Sequence, residues 1–145
     1  MRLTTLSDYS LRVLMYLGAR PERQATIQEI ATAYGISENH LMKVVHRLGQ
    51  HGFVETVRGR GGGLRLKGAA DAIRLGDVVR AVEEDFQIVE CFGSDDACRI
   101  TNVCRLKRVL NRALAAFLEE LDNWTLADLV AKPKALSDVL AIGGR

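Results

Sequence analysis

The sequence predicts a mainly α-helical fold with one small β-hairpin, and three observations lead to that prediction. Apolar residues recur at helical spacing in most segments of the 145-residue chain. Two short runs of apolar and β-branched residues, 53–57 and 64–66, flank a glycine-rich turn. The longest helical pattern, at 105–123, follows a segment without periodicity that holds all three cysteines. We therefore expect a helical domain with a hairpin, an irregular cysteine loop and a long helix.

Composition restricts the class of protein. With 48% hydrophobic and 26% charged residues, the chain has enough apolar material for a packed core and too much for a disordered polypeptide. Its length predicts one domain, or a small domain with an accessory segment, which argues against a multi-domain enzyme. No run approaches the roughly 18 apolar residues of a membrane helix, and the start, MRLTTLSDYS, has no apolar secretory stretch. We expect a cytoplasmic protein without a membrane partner.

Charge is divided unevenly along the chain, although its net value is only +2. The first eighty residues hold 12 basic and 7 acidic side chains, whereas residues 81–145 hold 8 basic and 11 acidic ones. This asymmetry predicts that the N-terminal part meets a polyanion while the remainder has another role.

The first two helical patterns are bounded by residues that start or stop helices. Residues 6–17 form the first pattern, with Ser7 as the expected cap and Gly18 as the expected end. A second, shorter helix is predicted at 27–34, where Thr26 provides the cap. Both helices are short enough to belong to a small domain.

A third helix is predicted to begin after Ser37 and to end at Gly52, only two residues beyond the second helix. Ala31 is small enough to let the two helices approach, Gly35 suits the turn, and Leu41 can seat the third helix on the second. Two short helices joined by so tight a turn are typical of a helix-turn-helix. With the hairpin that follows, the expected arrangement is a winged helix-turn-helix, in which the hairpin is the wing.

Polar side chains at the start of the third helix lie where a recognition helix presents residues to base edges in the major groove. Asn39 suits a bidentate contact with adenine. The wing carries several basic residues and no acid from Arg58 to Lys67, so we expect it to lie against phosphate or enter a minor groove. The alternative is an ordinary helix cap, exposed polar residues and a solvated turn. The predicted DNA-binding residues are Ser37, Asn39, His40 and Lys43 on the helix, and Arg58, Arg60, Gly62 and Arg65 on the wing.

The second half of the chain predicts a dimer. A fourth helix of about two turns precedes an irregular loop at 83–104, and the long helix after it spans about 28 Å at roughly 1.5 Å per residue. Its apolar stripe is most simply buried against its counterpart in a second chain, and a twofold homodimer would let two recognition helices read a palindromic operator. The alternative is that the helix only completes the core of one chain. We expect a DNA-binding domain at 1–82, a cluster-binding loop at 83–104, and a dimerisation helix with short closing helices at 105–145.

Three cysteines carry the strongest chemical signal. Cys91, Cys98 and Cys104 have six and five residues between them, and an odd number in a reducing compartment argues against a disulfide framework. Zinc sites favour pairs two to four residues apart, whereas thiolates on an irregular loop can surround an iron-sulfur cluster. The alternative, three small core residues, fits poorly with the polar residues beside them. Three thiolates leave one position open; the histidines lie on the recognition helix and are discounted, so the candidates are Glu90, Asp95, Asp96 and Asp8.

Five segments carry a family resemblance: MRLTTLSDYSLRVLMYL, VRGRGGGLRL, IRLGDVVRAVE, CRITNVCRLK and FLEELDNWTLADLV. Together they resemble the Rrf2 family of bacterial winged-helix regulators, and in particular its members that sense nitric oxide. The wing and the three cysteines also occur in the IscR-like and RirA-like branches. In the IscR-like branch a histidine three residues after the third cysteine completes the cluster. Lys107 stands at that place and cannot ligate while charged, which disfavours that branch.

The resemblance implies a homodimeric repressor with a cluster held by Cys91, Cys98, Cys104 and an aspartate of the other subunit. Asp8 matches that aspartate, and Arg12, four residues on, could orient or release its carboxylate. Asp8 also suits the first turn of a helix for electrostatic reasons alone. A [4Fe-4S] cluster is favoured, and [2Fe-2S] is the other form that three cysteines fit.

The function that the resemblance implies is release of an operator when nitric oxide reacts with the cluster, which derepresses genes for nitric-oxide detoxification. The alternative is an iron-responsive regulator of the RirA-like branch. An enzyme is disfavoured because the sequence has no paired carboxylates in a pocket-forming pattern, no nucleotide-binding glycine motif and no Ser/His/Asp arrangement.

Overall fold

The computed structural model describes residues 1–143, and within them the predicted fold class is confirmed: helices dominate, with one two-stranded antiparallel hairpin. None of the helices in this part of the chain is long and apolar enough to cross a membrane. The elements are α1 (Thr5–Ala19), α2 (Ile27–Tyr34), α3 (Glu38–Gln50), β1 (Val54–Val57), β2 (Gly63–Leu66), α4 (Leu75–Val82), α5 (Arg105–Asp122), α6 (Leu126–Leu129) and α7 (Pro133–Leu140).

α1 is longer at both ends than the sequence predicted. Its cap is Thr4, whose side-chain oxygen accepts a hydrogen bond from the Ser7 N–H at 3.3 Å. Ser7 is instead fully buried, so its prediction as the cap was wrong. Gly18 lies inside the helix because it faces Leu126, where an added Cβ would come within 3.3 Å of that side chain. Close packing, not helix termination, explains this glycine.

The turn between α2 and α3 follows the prediction. Gly35 has a φ of 66°, a left-handed conformation that favours glycine, and Ile36 donates a backbone hydrogen bond to Ala31 at 3.0 Å. Ser37 then caps α3. Leu41 is fully buried where α3 packs, which fixes the orientation of the recognition helix.

α1 lies at the centre of the molecule and contacts α3, α4, α6 and α7. One continuous core joins the N-terminal helices to the C-terminal ones, so α6 and α7 fold back onto the domain that holds the recognition helix. Its fully buried aliphatic side chains include Leu14, Ile30, Leu41, Leu48, Val78, Val82 and Leu126.

The hairpin is attached to the helical domain by its second strand. β1 and β2 pair with Glu55 opposite Arg65, and Leu64 exchanges two backbone hydrogen bonds with Ala25 at 2.6 and 3.0 Å. Ala25 directly precedes the cap of α2, so the wing is held against the start of the helix-turn-helix.

Residues 83–104 form an irregular segment with two short 3₁₀ turns, Glu90–Phe92 and Thr101–Val103. α5 follows it at Arg105 and packs mainly on α4. None of the 18 residues of α5 is buried, so the longest helix of the chain contributes nothing to the closed core.

Candidate DNA-binding surface and cysteine segment

The residues predicted to contact base edges lie together on the first turn and a half of α3. Asn39, His40 and Lys43 are all exposed, as a recognition helix requires. Ser37 is also exposed, but its hydroxyl already accepts the His40 N–H at 3.2 Å. Its structural role as a cap is therefore visible in the structure, whereas Asn39 and Lys43 have no such role.

His40 has a neighbour that the sequence did not indicate. Its ring meets that of Tyr9 edge to face, with 5.6 Å between ring centroids. These two residues and Lys43 line a groove of about 330 Å³ between α1 and α3. The start of the recognition helix thus rests on α1 through an aromatic contact as well as through the core.

The tip of the wing presents unpaired positive charge. Arg58 and Arg60 are exposed, and neither they nor Lys43 form an ion pair within residues 1–143. The turn that carries both arginines is closed by Gly62, where an added Cβ would overlap the Val57 carbonyl oxygen. A basic, tightly turned tip of this kind fits a phosphate backbone or a narrow minor groove.

Arg65 differs from the other wing arginines because an acidic side chain lies opposite it. Its Nε donates a 2.6 Å hydrogen bond to the Glu55 carboxylate directly across the hairpin. The segment 58–67 has no acid of its own, but β1 supplies one. Half of the Arg65 side chain is still accessible, so its charge is compensated without being hidden.

The three cysteines are free and half-buried, and they lie on one segment before α5. Cys104 is the N-terminal cap of α5, and its sulfur accepts a hydrogen bond from the Lys107 N–H at 3.4 Å. The Cys98 N–H donates to the Asp96 carboxylate at 3.0 Å. Within residues 1–143, no three His, Cys, Asp or Glu side chains lie close enough to hold one metal ion. In this part of one chain, neither the three cysteine sulfurs nor Asp8 therefore belong to a site for a single metal ion.

Asp8 and Arg12 form the predicted pair on α1. Arg12 donates from Nε and Nη2 to the two carboxylate oxygens at 3.1 and 2.9 Å, and both side chains are close to half exposed. The same guanidinium lies 5.5 Å from the ring centroid of Tyr9 and 5.9 Å from that of Tyr34. Tyr34 donates to the Arg12 carbonyl at 2.8 Å, and burial raises the pKa of its hydroxyl to about 12.

Tyr9 and Tyr34 are the residues of this surface that sequence reasoning missed. Tyr9 lies within the helical pattern at 6–17 and Tyr34 within the one at 27–34, and the sequence predicts no further role for either. The signal for Tyr9 was its spacing of three residues from Arg12, which places the two on one helical face. No spacing links Tyr34 to Arg12, because that contact depends on the fold.

An exposed apolar strip runs along α5. Leu106 is 61% exposed, Val109 is 59% exposed and Phe117 is 39% exposed. They recur at helical spacing on one face of α5, and the helix also packs on α4. An uncovered apolar face of this length is typical of a protein–protein interface.

The comparisons with known proteins agree with this geometry. Residues 3–132 match the family model Rrf2, described as an iron-dependent transcriptional regulator. The HTH-type transcriptional regulator NsrR of Bacillus subtilis (strain 168) is 54% identical over 142 residues, which cover 97% of each chain.

Solved structures show the same fold. IscR of T. potens aligns with a TM-score of 0.74 and 25% identity over 90% of this chain and 87% of its own. CymR of B. subtilis, the global cysteine regulator, aligns with a TM-score of 0.73 and 27% identity over 90% and 97%. These relatives are transcriptional regulators rather than enzymes, and regulation of transcription implies DNA binding. The chain therefore belongs to the Rrf2 family of transcriptional regulators.

Proposed function

We propose that this protein is a homodimeric, cytoplasmic repressor that senses nitric oxide through an iron-sulfur cluster and then releases a palindromic operator. Genes for nitric-oxide detoxification would be derepressed as a result. The observation that carries the proposal is the combination of three free, half-buried cysteines with a basic winged helix in one small chain. The resemblance of the cysteine segment and the first helix to nitric-oxide-sensing members of the family supports the choice of signal.

The DNA-binding part rests on exposed, uncompensated charge. Asn39 and Lys43 would lie in the major groove, and Arg58 and Arg60 would contact phosphate or a minor groove beside it. Arg65 would contribute less, because Glu55 already neutralises it.

The homodimer rests on α5. Its exposed apolar strip requires a cover, and its charges are segregated: four basic residues lie at 105–112 and three acidic ones at 113–122. This order opposes the helix dipole, which favours acids near the N-terminus and bases near the C-terminus. An antiparallel second copy would place the basic half of one α5 against the acidic half of the other. The twofold dimer that results also suits a palindrome.

The cysteines fit an iron-sulfur cluster by donor chemistry. They are free thiols on an irregular segment and are partly accessible, and Cys104 lies at the start of α5. Cys91, Cys98 and Cys104 would hold the group, with Asp8 of the other subunit as the fourth ligand. When bound, such a cluster, which we propose to be [4Fe-4S], supplies iron that nitric oxide can coordinate.

Arg12 gives the Asp8 carboxylate a second partner within its own chain. The structure pairs both carboxylate oxygens of Asp8 with Arg12, and we propose that Asp8 keeps this partner when it does not serve as a ligand. A carboxylate that can return to Arg12 leaves a ligand position readily, and oxygen is a weak ligand for iron beside thiolates. The two arrangements of Asp8 thus differ in contacts, as a switch requires.

The proposal is tested by titrating anaerobically purified protein with nitric oxide while operator binding is followed by fluorescence anisotropy. We expect affinity to fall as nitric oxide is added. Absorption and resonance spectra before and after addition identify the type of cluster. Undiminished operator affinity would refute nitric oxide as the signal.

The family description favours a second candidate, an iron-responsive regulator. It would share the fold and the DNA-binding surface but respond to loss of the cluster under iron limitation. Parallel exposure to an iron chelator and to nitric oxide separates the two. Release by chelator at a rate comparable to that by nitric oxide favours iron, and release by nitric oxide alone favours the first proposal.

A further inference from the structure

The C-terminal end of α5 is tied to α4 by a bidentate ion pair. Arg80 donates from Nη1 and Nη2 to the two carboxylate oxygens of Asp122, at 2.5 and 2.8 Å. The interaction lowers the pKa of Asp122 and raises that of Arg80, since each favours the charged form of the other. The pair joins residues that are 42 positions apart in the sequence.

Gly76 makes room for this pair. It lies one turn before Arg80 on α4, and an added Cβ would overlap the Asp122 carboxylate and approach the Arg80 guanidinium. The backbone of Gly76 is helical, so its lack of a side chain serves close approach rather than an unusual φ. Gly76, Arg80 and Asp122 together are called the α4–α5 clamp below.

Backbone contacts hold the same junction. The Leu75 N–H donates to the Trp124 carbonyl at 2.9 Å, and the Leu126 N–H donates to the Ile73 carbonyl at 2.8 Å. This short antiparallel bridge fixes the chain just beyond α5 to the start of α4. The C-terminal end of α5 is therefore anchored, while its apolar strip stays open.

A chain of helix–helix contacts connects the recognition helix α3 to α5. α3 packs on α1, α1 packs on α4, and α4 packs on α5. The first two contacts belong to the closed core, in which Val78 and Val82 of α4 are fully buried. The α4–α5 contact has no buried residue on the α5 side, so the α4–α5 clamp is its most specific feature.

We propose that the α4–α5 clamp sets the distance and rotation between the two recognition helices of the dimer, and so determines which half-site spacing is accepted. This inference rests on the proposed homodimer and on its DNA binding. One base pair displaces a half-site by about 3.4 Å and rotates it by roughly 35°. A rigid α4–α5 junction does not accommodate this displacement and rotation of a half-site, whereas a flexible junction does. Arg80 and Asp122 are thus positioning residues for DNA recognition.

The experiment measures the affinity of the full-length protein, purified without oxygen, for a set of duplexes. The reference duplex is selected by the wild-type protein from random DNA, and its variants have one or two base pairs added or removed between the half-sites. Discrimination is the ratio of the affinity for the reference duplex to the affinity for a duplex with altered spacing. We expect Asp122→Asn to reduce this ratio by about threefold to tenfold, the range suited to a partly exposed bidentate pair. Affinity for an isolated half-site should not change.

Two further variants make the result specific. Gly76→Ala should give the same loss as Asp122→Asn, because it displaces the carboxylate while it raises helix propensity. The matched control is Asp138→Asn, the same chemical change at an exposed position of α7, a helix that packs on α1. Asp138 forms no ion pair within residues 1–143. The control should keep wild-type discrimination.

The outcomes separate this inference from the proposed function. Sedimentation shows whether the wild-type protein and each variant are dimers. A wild-type protein that is monomeric, or that binds no duplex, overturns both the proposed function and this inference. Spacing discrimination in the wild type that Asp122→Asn and Gly76→Ala both retain overturns this inference alone. Loss of half-site affinity in parallel with spacing discrimination would show a general structural role and overturn it as well.

Discussion

Leu41 provides the sharpest test of how the recognition helix is held. Its side chain is 0% exposed and lies in the core where α3 packs on α1 and α2. Leu41→Ala removes three buried carbons from a site between three helices, which cannot collapse freely. Such substitutions cost about 2–5 kcal/mol, and we expect about 3 kcal/mol here. For a chain of this length that loss corresponds to a fall in Tm of roughly 6–12 °C.

The measurement is urea unfolding followed by far-UV circular dichroism. Protein concentration must be held fixed, because dimerisation contributes to apparent stability. The matched control is Met42→Ala, which alters the neighbouring residue on the same helix at a position that is 55% exposed. The control should change the free energy of unfolding by about 0.5 kcal/mol or less. A loss below about 1 kcal/mol for Leu41→Ala, or equal losses for the two variants, would refute the packing argument.

Three further predictions follow from the same structure. Gly35→Ala should destabilise the fold by about 1 kcal/mol, because Gly35 has a φ of 66° that disfavours a side chain. Gly49→Ala should instead stabilise the fold by up to about 1 kcal/mol, because Gly49 is in an exposed and uncrowded helical position. Urea unfolding measures both changes. Arg60→Ala should weaken binding to all duplexes alike and reduce the steepness of log affinity against log salt by about 1, and an unchanged slope would show that Arg60 does not contact phosphate. Because Arg80 holds the pKa of Asp122 below 3.8, the pair stabilises the fold above about pH 4, and this contribution is lost as pH falls through the lowered value. Acid titration of unfolding should therefore show a smaller loss in Asp122→Asn than in the wild-type protein.

Local signals in the sequence predicted most of the secondary structure. Caps, glycines and apolar periodicity are properties of neighbouring residues, so α2, α3 and the hairpin agree with the prediction within about two residues, and α4 has the predicted two turns. α1 was placed less well because Ser7 and Gly18 resemble end signals in isolation. In the fold, Ser7 is buried and Leu126 packs against Gly18. Both features depend on tertiary contacts that the local sequence does not show.

The sequence predicted those parts of the candidate site that depend on residues close together in the chain. The cysteines, the polar start of α3 and the i,i+4 pair of Asp8 with Arg12 are all short-range patterns. Contacts between distant residues were not predictable. The compensation of Arg65 by Glu55 depends on hairpin register, and the α4–α5 clamp depends on tertiary packing.

The most direct test of the proposed sensing function compares one preparation in two states. Protein is isolated without oxygen, its iron and acid-labile sulfide are quantified, and its operator affinity is measured before and after the iron is removed by chelation. We predict a coloured preparation with iron and sulfide in similar amounts, tight operator binding, and at least tenfold weaker binding after removal, which corresponds to about 1.4 kcal/mol. An iron-free preparation, or equal affinity in the two states, would contradict the proposal.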